Sequence, residues 1–357
     1  MTPSIDRLDC WVLRAPIVFL RISASDGATG WGEVFSNFPQ VGAEHRARLV
    51  RSIFAPMLAG VAADDPASVR TLLDQRTRQM AIQCGEPGPF AQITGAVDQA
   101  LWDMAARRAK LPLWQLLGGN SARVRVYASG IGPDKVVAVA LAKQAQGYRA
   151  FKLKVGFGAE RDVANLAAMR AALGPDAVIM CDANQAWSPA DAAARITELA
   201  PYEPYWIEEP IGADQPHAAW RALAQASPVP LAAGENLRGE TAFTEAIEAG
   251  YLRFVQPDVG KWGGISGGLA VARLAQARGI AYCPHWLAGG LGLAASLHAL
   301  AGSGTTGGWA EVDANPNPLR EQVLPLKVVD GWATLPDAPG LGVEPDLQAL
   351  ASYLVVV

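Results

Sequence analysis

The sequence predicts an α/β protein: a (β/α)8-type barrel, that is a modified TIM barrel, with an N-terminal α+β capping domain completed by the C-terminal tail. Three observations lead there. Short apolar runs recur between residues 124 and 311, and from the second run onward each ends in a charged residue. Counted from Lys154, those ends fall at 182, 208, 235, 258, 285 and 311, in steps of 28, 26, 27, 23, 27 and 26 residues. That is the length of one strand–loop–helix–loop unit. Alanine-rich segments of helical character fill the intervals, at 159–173, 190–199, 218–226, 240–249 and 267–278. Strands alternating with such helices form a parallel sheet. Eight units close into a barrel whose strand ends share one mouth.

Before the barrel, residues 5–31 read as two strands, with Ser25-Asp26-Gly27 as the turn between Ile17-Val18-Phe19-Leu20-Arg21-Ile22 and Thr29-Gly30-Trp31-Gly32-Glu33. Helical patterns follow at 44–58, 66–80 and 92–109, the last ending ahead of Leu111-Pro112 and Gly118-Gly119. No strand alternates with these helices, so residues 1–119 are expected to form a separate capping domain and residues 120–323 the barrel. Its first strand is Val124-Arg125-Val126-Tyr127, its second Phe151-Lys152-Leu153-Lys154-Val155. The next six lead into Asp182 (with Asn184 two further on), Glu208-Glu209-Pro210, Glu235-Asn236, Asp258, His285 and Glu311. Residues 324–357, rich in proline and glycine, are expected to return to the capping domain.

Composition narrows the function. A chain of 357 residues, half of them hydrophobic, can bury a large core in more than one domain. A net charge of −4 without a basic run speaks against nucleic acid. No apolar stretch is long enough to span a bilayer, and a secretory signal is not expected. Cys10, Cys84, Cys181 and Cys283 show no paired spacing, so neither disulfides nor zinc are expected and the cytoplasm is the expected location.

Taken together, the Lys152-Leu153-Lys154 strand, Asp182-Ala183-Asn184, Glu208-Glu209-Pro210, Gly234-Glu235-Asn236, Gln256-Pro257-Asp258 ahead of Lys261-Trp262-Gly263-Gly264, His285 and Glu311 resemble the enolase superfamily in its mandelate racemase subgroup. The resemblance covers nearly the whole chain. Residues 311–320 and Pro339-Gly340-Leu341-Gly342 are similar to the galactarolactone cycloisomerase branch and to acid-sugar dehydratases. The resemblance implies a homo-oligomer, a dimer or an octamer of paired dimers.

The residues themselves suggest the chemistry. In a strand, Lys152 and Lys154 share a face, and two adjacent ammonium groups push at least one lysine toward the neutral, basic form. Asp182, Glu208 and Glu235 are hard oxygen donors without a thiolate or imidazole among them, which suits Mg²⁺, with Mn²⁺ as the alternative. Only one of Glu208 and Glu209 is expected to face the mouth, and the resemblance favours Glu208. Removing the proton α to a carboxylate needs cationic support, from the metal and a charged Lys152. Lys154, its pKa lowered, is expected to be the base on one face. Asp258 is expected to orient His285 as base or acid on the other. Glu311 is expected to be protonated and to hydrogen-bond the enolate oxygen. Asn184 and Trp286 are expected to touch the substrate, a small carboxylate. Dehydration of a sugar acid comes first, cycloisomerisation of a lactone and racemisation after it. His45, His217 and His298 are expected to be ordinary.

Three features complicate this reading. Relatives carry a long capping loop between the first two strands, whereas here Trp11-Val12-Leu13-Arg14-Ala15-Pro16 runs straight into Ile17; either the site is more open, or residues 35–40 or a neighbouring subunit cover it. Gly302-Ser303-Gly304-Thr305-Thr306-Gly307 matches a dinucleotide fingerprint, but after a helix and before a strand, the reverse of the required order. Gly264-Ile265-Ser266-Gly267-Gly268 matches a nucleophile elbow, but its serine does not directly follow its strand and Asp258 precedes it. A serine hydrolase and a non-catalytic barrel are the remote alternatives.

Overall fold

The computed structural model describes residues 2–14, 16–39 and 41–356. Three antiparallel strands, one more than the sequence suggested, begin the chain: β1 (Ile5–Leu13), β2 (Ile17–Ala24) and β3 (Thr29–Val34). Their two-residue period serves two cores. Val12, Val18, Leu20 and Ile22 pack on the helices of the cap, while Leu13, Ile17, Phe19 and Trp31 join the core around the barrel. The helix Pro87–Ala109 lies so close to β3 that a Cβ on Gly30 or Gly32 would stand 2.0 or 2.1 Å from the carbonyl oxygens of Ala100 and Ala96. The helix expected at 44–58 is observed in three pieces, Gly42–Leu49, a π-turn at Val50–Phe54, and Ala55–Leu58.

Eight parallel strands follow: β4 (Arg123–Ile131), β5 (Ala150–Lys154), β6 (Val178–Asp182), β7 (Ile207–Glu208), β8 (Leu231–Ala233), β9 (Phe254–Val255), β10 (Ala281–Tyr282) and β11 (Ala310–Asp313). They neighbour one another in chain order, and β11 closes onto β4. Among the described residues no ladder joins β10 to β11. The interior is filled by one inward residue from each strand or its end: Tyr127, Ala150, Met180, Trp206, Ala232, Phe254, Cys283 and Trp309. Tyr127 meets Trp206 edge-on at 5.5 Å, and Phe254 lies 4.8 Å from Trp206. Two residues beyond this plug on the same strands come Lys152, Asp182, Glu208, Gln256, His285 and Glu311, all buried. Strand periodicity therefore turns one apolar layer into one polar layer above it.

The tail departs from expectation at its start. A hairpin, β12 (Val328–Val329) and β13 (Trp332–Thr334), adds antiparallel to the beginning of β4, pairing Trp332 with Arg125. The first turn of β4 lies outside the barrel's parallel pairing and offers a free edge there. Only then does the chain reach the cap. Gly340 bridges Pro112, Arg107 donates to Val343 O, and β14 (Leu354–Val355) pairs with β1.

His298 joins the three regions. Its Nδ1 accepts from Trp114 N–H at 2.9 Å and its Nε2 donates to Leu341 O at 3.2 Å. Burial pushes its pKa down to about 4, against a weaker opposing effect from the Leu341 carbonyl. A depressed pKa means stability that is complete above the unfolded-state value and lost as pH falls through the folded one. Wild-type protein is thus expected to lose about 3 kcal/mol between about pH 6.5 and 4 from this group. Unfolding melts over that range check it: His298→Gln should flatten the loss, and an unchanged profile would contradict it.

Candidate active site

The polar layer forms one connected network. The Lys152 ammonium, 0% exposed, lies 2.7 Å from Glu208 Oε1, 2.8 Å from Glu311 Oε1 and 3.5 Å from Asp182 Oδ2. Lys154, one strand repeat nearer the opening and 19% exposed, donates to Asp182 Oδ2 at 2.5 Å and to Asn184 Oδ1 at 2.6 Å. Across the mouth, His285 Nδ1 meets Asp258 Oδ2 at 2.5 Å, and its Nε2 lies 3.1 Å from Glu235 and 3.6 Å from Glu311. Ser129 and Tyr127 donate to Glu311 from below on β4. The structure thus brings Lys152, Lys154, Asp182, Asn184, Glu208, Glu235, Asp258, His285 and Glu311 to one place.

Trp286 is not part of that surface. Only 1% exposed, it packs its ring against Gly292 and Gly260 and donates its indole N–H to Gly289 O at 2.9 Å. It follows His285 in sequence, but consecutive extended residues point to opposite sides, so it shapes the wall rather than touching a substrate.

Two electrostatic expectations and one positional expectation change. Burial disfavours the Lys154 ammonium, yet Asp182 and the carboxylates behind it outweigh burial and Lys152 together, so its pKa is raised rather than lowered. Burial likewise opposes the Glu311 carboxylate, but Lys152, His285 and Lys154 pull its pKa down to about 2. It is ionised here, not protonated. Glu209 is as buried as Glu208: a φ of 39° turns it off the strand, and Asn236 donates to both its carboxylate oxygens. For His285, the carboxylates overcome burial and lift the pKa to about 9, Glu235 and Glu311 contributing ahead of Asp258.

Lys261 and Gln256 carry parts of the site that the strand-end pattern did not assign. Lys261 Nζ lies 2.5 Å from Glu235 Oε2 and 5.1 Å from the Phe35 ring. Gln256 Nε2 donates to Glu208 Oε2 at 2.5 Å. Gln256 was findable from its place two residues before Asp258 on the inward file. Lys261 lies in the loop after the strand, where spacing carries no such signal.

The donors fit a hard divalent cation. Among the described residues six buried carboxylates (Asp182, Glu208, Glu209, Glu235, Asp258, Glu311) face four cations (Lys152, Lys154, Lys261, His285), leaving two negative charges uncompensated. Burial and then Asp182 raise Glu208 to about 7, while burial and then Glu235 raise Glu209 to about 8. Gln256 Oε1 is buried without a partner beside them. Among the described residues no three such ligands are gathered into a ready-made shell, because the carboxylates are turned to neighbouring ammonium, imidazole or, for Glu209, amide groups.

The capping segment sits over this end. The β1–β2 connection spans three residues between Leu13 and Ile17, of which Ala15 lies outside the described residues. Ser36 Oγ donates to Pro16 O, and Asn37 Nδ2 to Leu287 O in the loop after His285. Phe35 is buried against Lys261, whereas Phe38 is 72% exposed; Gln40, at the end of the segment, lies outside the described residues. Glu33 on β3 accepts from the N–H groups of Gly289 and Gly292 at 2.6 and 3.0 Å, tying the cap to the same loop.

Ser266 is structural. It lies in the helix Gly264–Ala277, where its hydroxyl donates to Asp98 at 2.5 Å and accepts from Trp102 Nε1 at 2.8 Å across the cap–barrel junction. Ser266→Ala is expected to leave turnover unchanged and to cost about 1–3 kcal/mol of stability. Turnover and thermal melting measured together check this, and loss of activity with an unchanged melt would revive the hydrolase reading.

Comparison with known proteins follows the same architecture. Residues 135–349 match the family described as enolase C-terminal domain-like, and residues 11–118 match the mandelate racemase / muconate lactonizing enzyme N-terminal domain. A D-galactarolactone cycloisomerase of Agrobacterium fabrum is 32% identical over 353 residues, 94% of this chain and 90% of its own. A D-galactonate dehydratase of Klebsiella pneumoniae is 33% identical over 306 residues, 82% and 78% of the two chains. The solved mandelate racemase/muconate lactonizing enzyme of Bordetella bronchiseptica superposes with a TM-score of 0.96 at 49% identity, covering 99% of both chains. A racemase of Streptomyces coelicolor, solved with bound magnesium, gives 0.85 at 32% identity over 98% of this chain and 99% of its own.

Proposed function

Because the chain belongs to the enolase superfamily, in its mandelate racemase and muconate lactonizing enzyme group, we propose that it removes the proton α to the carboxylate of a sugar acid or its lactone. The observation that supports this reading most is the unbroken network from Lys154 through Asp182, Lys152 and Glu311 to His285 and Asp258. It sets an amine and an imidazole on different arcs of one buried mouth. Asp182, Glu208 and Glu235 would hold Mg²⁺, or Mn²⁺ in its place. Such an ion supplies fixed positive charge toward a substrate carboxylate.

The chain's own residues then divide the work. Lys152, charged and fixed, opposes the negative charge that develops as the α-proton leaves. Lys154, once its ammonium has released a proton to solvent, takes the α-proton from one face through the freed nitrogen, which Asn184 positions. Asp258 holds His285 by Nδ1, so Nε2 faces the substrate and can give a proton to the departing β-oxygen. Glu311 keeps Lys152 and His285 charged and in place. When the β-oxygen is a hydroxyl, water leaves and the enol rearranges to a 2-keto-3-deoxy acid. Dehydration is the first reading. Cycloisomerisation, in which a lactone ring oxygen leaves instead, is favoured as the second by the fuller overlap with the cycloisomerase relative, 94% of this chain against 82%.

The test is proton exchange in D₂O, followed by NMR over a library of aldonic and aldaric acids and their lactones. An α-proton signal lost only with Mg²⁺ present, and preserved under chelation, is the expected result. The product distinguishes dehydration from cycloisomerisation. Conversion that survives chelation, or no exchange from any member of the library, would overturn the proposal.

A further inference from the structure

We infer that the closed end of the barrel carries a second small-molecule site, for a phosphate-bearing dianion, between Arg123, Arg125 and the glycine-rich loop at 302–308. A cleft of about 340 Å³ opens there, lined by Arg123, Arg125, Ser121, Thr305, Thr306 and Trp332 among others. It lies at the far end of the inward file of β4. Residues two apart share that file, so Arg123 and Arg125 stand below Tyr127 in the barrel plug and Ser129 at Glu311.

The two guanidinium groups are set over indole rings. Arg125 lies 5.3 Å from the Trp332 ring and 5.5 Å from that of Trp309, and Arg123 lies 5.0 Å from Trp332. Stacking occupies the faces of a guanidinium and leaves its N–H edges free. Among the described residues neither arginine forms an ion pair or a side-chain hydrogen bond, so their N–H groups are open to a ligand. Both arginines are exposed at the cleft, and their positive charge there favours an anion.

The loop supplies the opposite wall. Gly304 and Gly307 take φ of 68° and 76° with open space where a Cβ would be. Ser303 Oγ caps Thr305 N–H and contacts Thr305 Oγ1. Among the described residues the N–H groups of Gly304, Thr306 and Gly307 reach no protein acceptor. The motif keeps its helix–loop–strand order, between the helix Gly290–Gly302 and β11, so it is no dinucleotide turn. Free backbone donors and two guanidinium forks lining one cleft suit a tetrahedral dianion with several oxygens better than a single carboxylate. The site is independent of the chemistry proposed at the mouth.

Inorganic phosphate titrated into the full chain under chelation, at low ionic strength, tests it by calorimetry and phosphorus NMR. Saturable binding at millimolar concentration or below is expected, weakened at least about tenfold by Arg125→Gln and by Arg123→Gln. Lys154→Met, at the other end of the barrel, should leave it unchanged. Glycerol phosphate titrated in parallel distinguishes a phosphomonoester from the free ion, since the true ligand class binds more tightly. Should Arg125→Gln fail to fold, Arg123→Gln and the charge-retaining Arg125→Lys carry the test. Absence of saturable binding, equal binding by the arginine variants, or loss of binding in Lys154→Met alone would each overturn the inference.

Discussion

Lys154→Met is expected to lower α-proton exchange by about 10²–10⁴-fold, the usual effect of removing a positioned base, while leaving the fold intact. Methionine keeps the length and most of the volume of the side chain. What disappears is the nitrogen held by Asp182 and Asn184 at 2.5 and 2.6 Å. Because this side chain is the more exposed of the two strand lysines, at 19% against 0%, a substrate reaches it first. His285→Asn is the companion variant. If the imidazole acts only on the departing oxygen, exchange at Cα should persist in His285→Asn while net conversion stops. Solvent exchange and product formation, measured on the same samples, separate these roles. Wild-type exchange in Lys154→Met would remove this lysine from the chemistry.

Lys152→Met is expected to act mainly on stability. Its ammonium is fully buried among Glu208, Glu311 and Asp182 and lies 5.4 Å from the Tyr127 ring. The carboxylates gather around it so closely that its pKa is raised well above the ordinary lysine value despite burial. Removing one partner of such a set leaves buried charges unpaired and costs about 3–5 kcal/mol. A fall of several degrees in melting temperature is therefore expected, together with loss of exchange. Mg²⁺ should recover more of the melting temperature in this variant than in wild type, because the variant has more uncompensated carboxylate to offer it. A melt within a degree of wild type would show that the network does not depend on this ammonium.

Much of the fold was legible because a parallel barrel repeats one unit. Each apolar run had to end where its side chains left the core, and the charged residue at that point marked the mouth. The choice of Glu208 over Glu209 came from the family resemblance, and the structure places Glu208 on the inward file, two residues beyond Trp206 of the plug. The expectation that only one of the pair would face the mouth failed, because a left-handed φ at Glu209 breaks the alternation and brings a second carboxylate in. Trp286 was misread for a related reason: adjacency to His285 in sequence is not adjacency on one face. The hairpin at 328–334 was invisible because nothing local in those residues says which of two free edges it will join.

The sequence by itself determined the barrel, its cap and the set of groups that meet at the mouth, because hydrophobic period and chain spacing are local properties that packing must obey. Only the tertiary structure decided which of those groups are charged. That outcome is a Coulomb sum over residues 28 to 184 positions apart, such as Lys154 with Asp182 or Tyr127 with Glu311. In a buried site a shift of an ångström changes that sum enough to reverse its sign. The paired lysines predicted a neutral base, and the carboxylates that surround them made an ammonium instead.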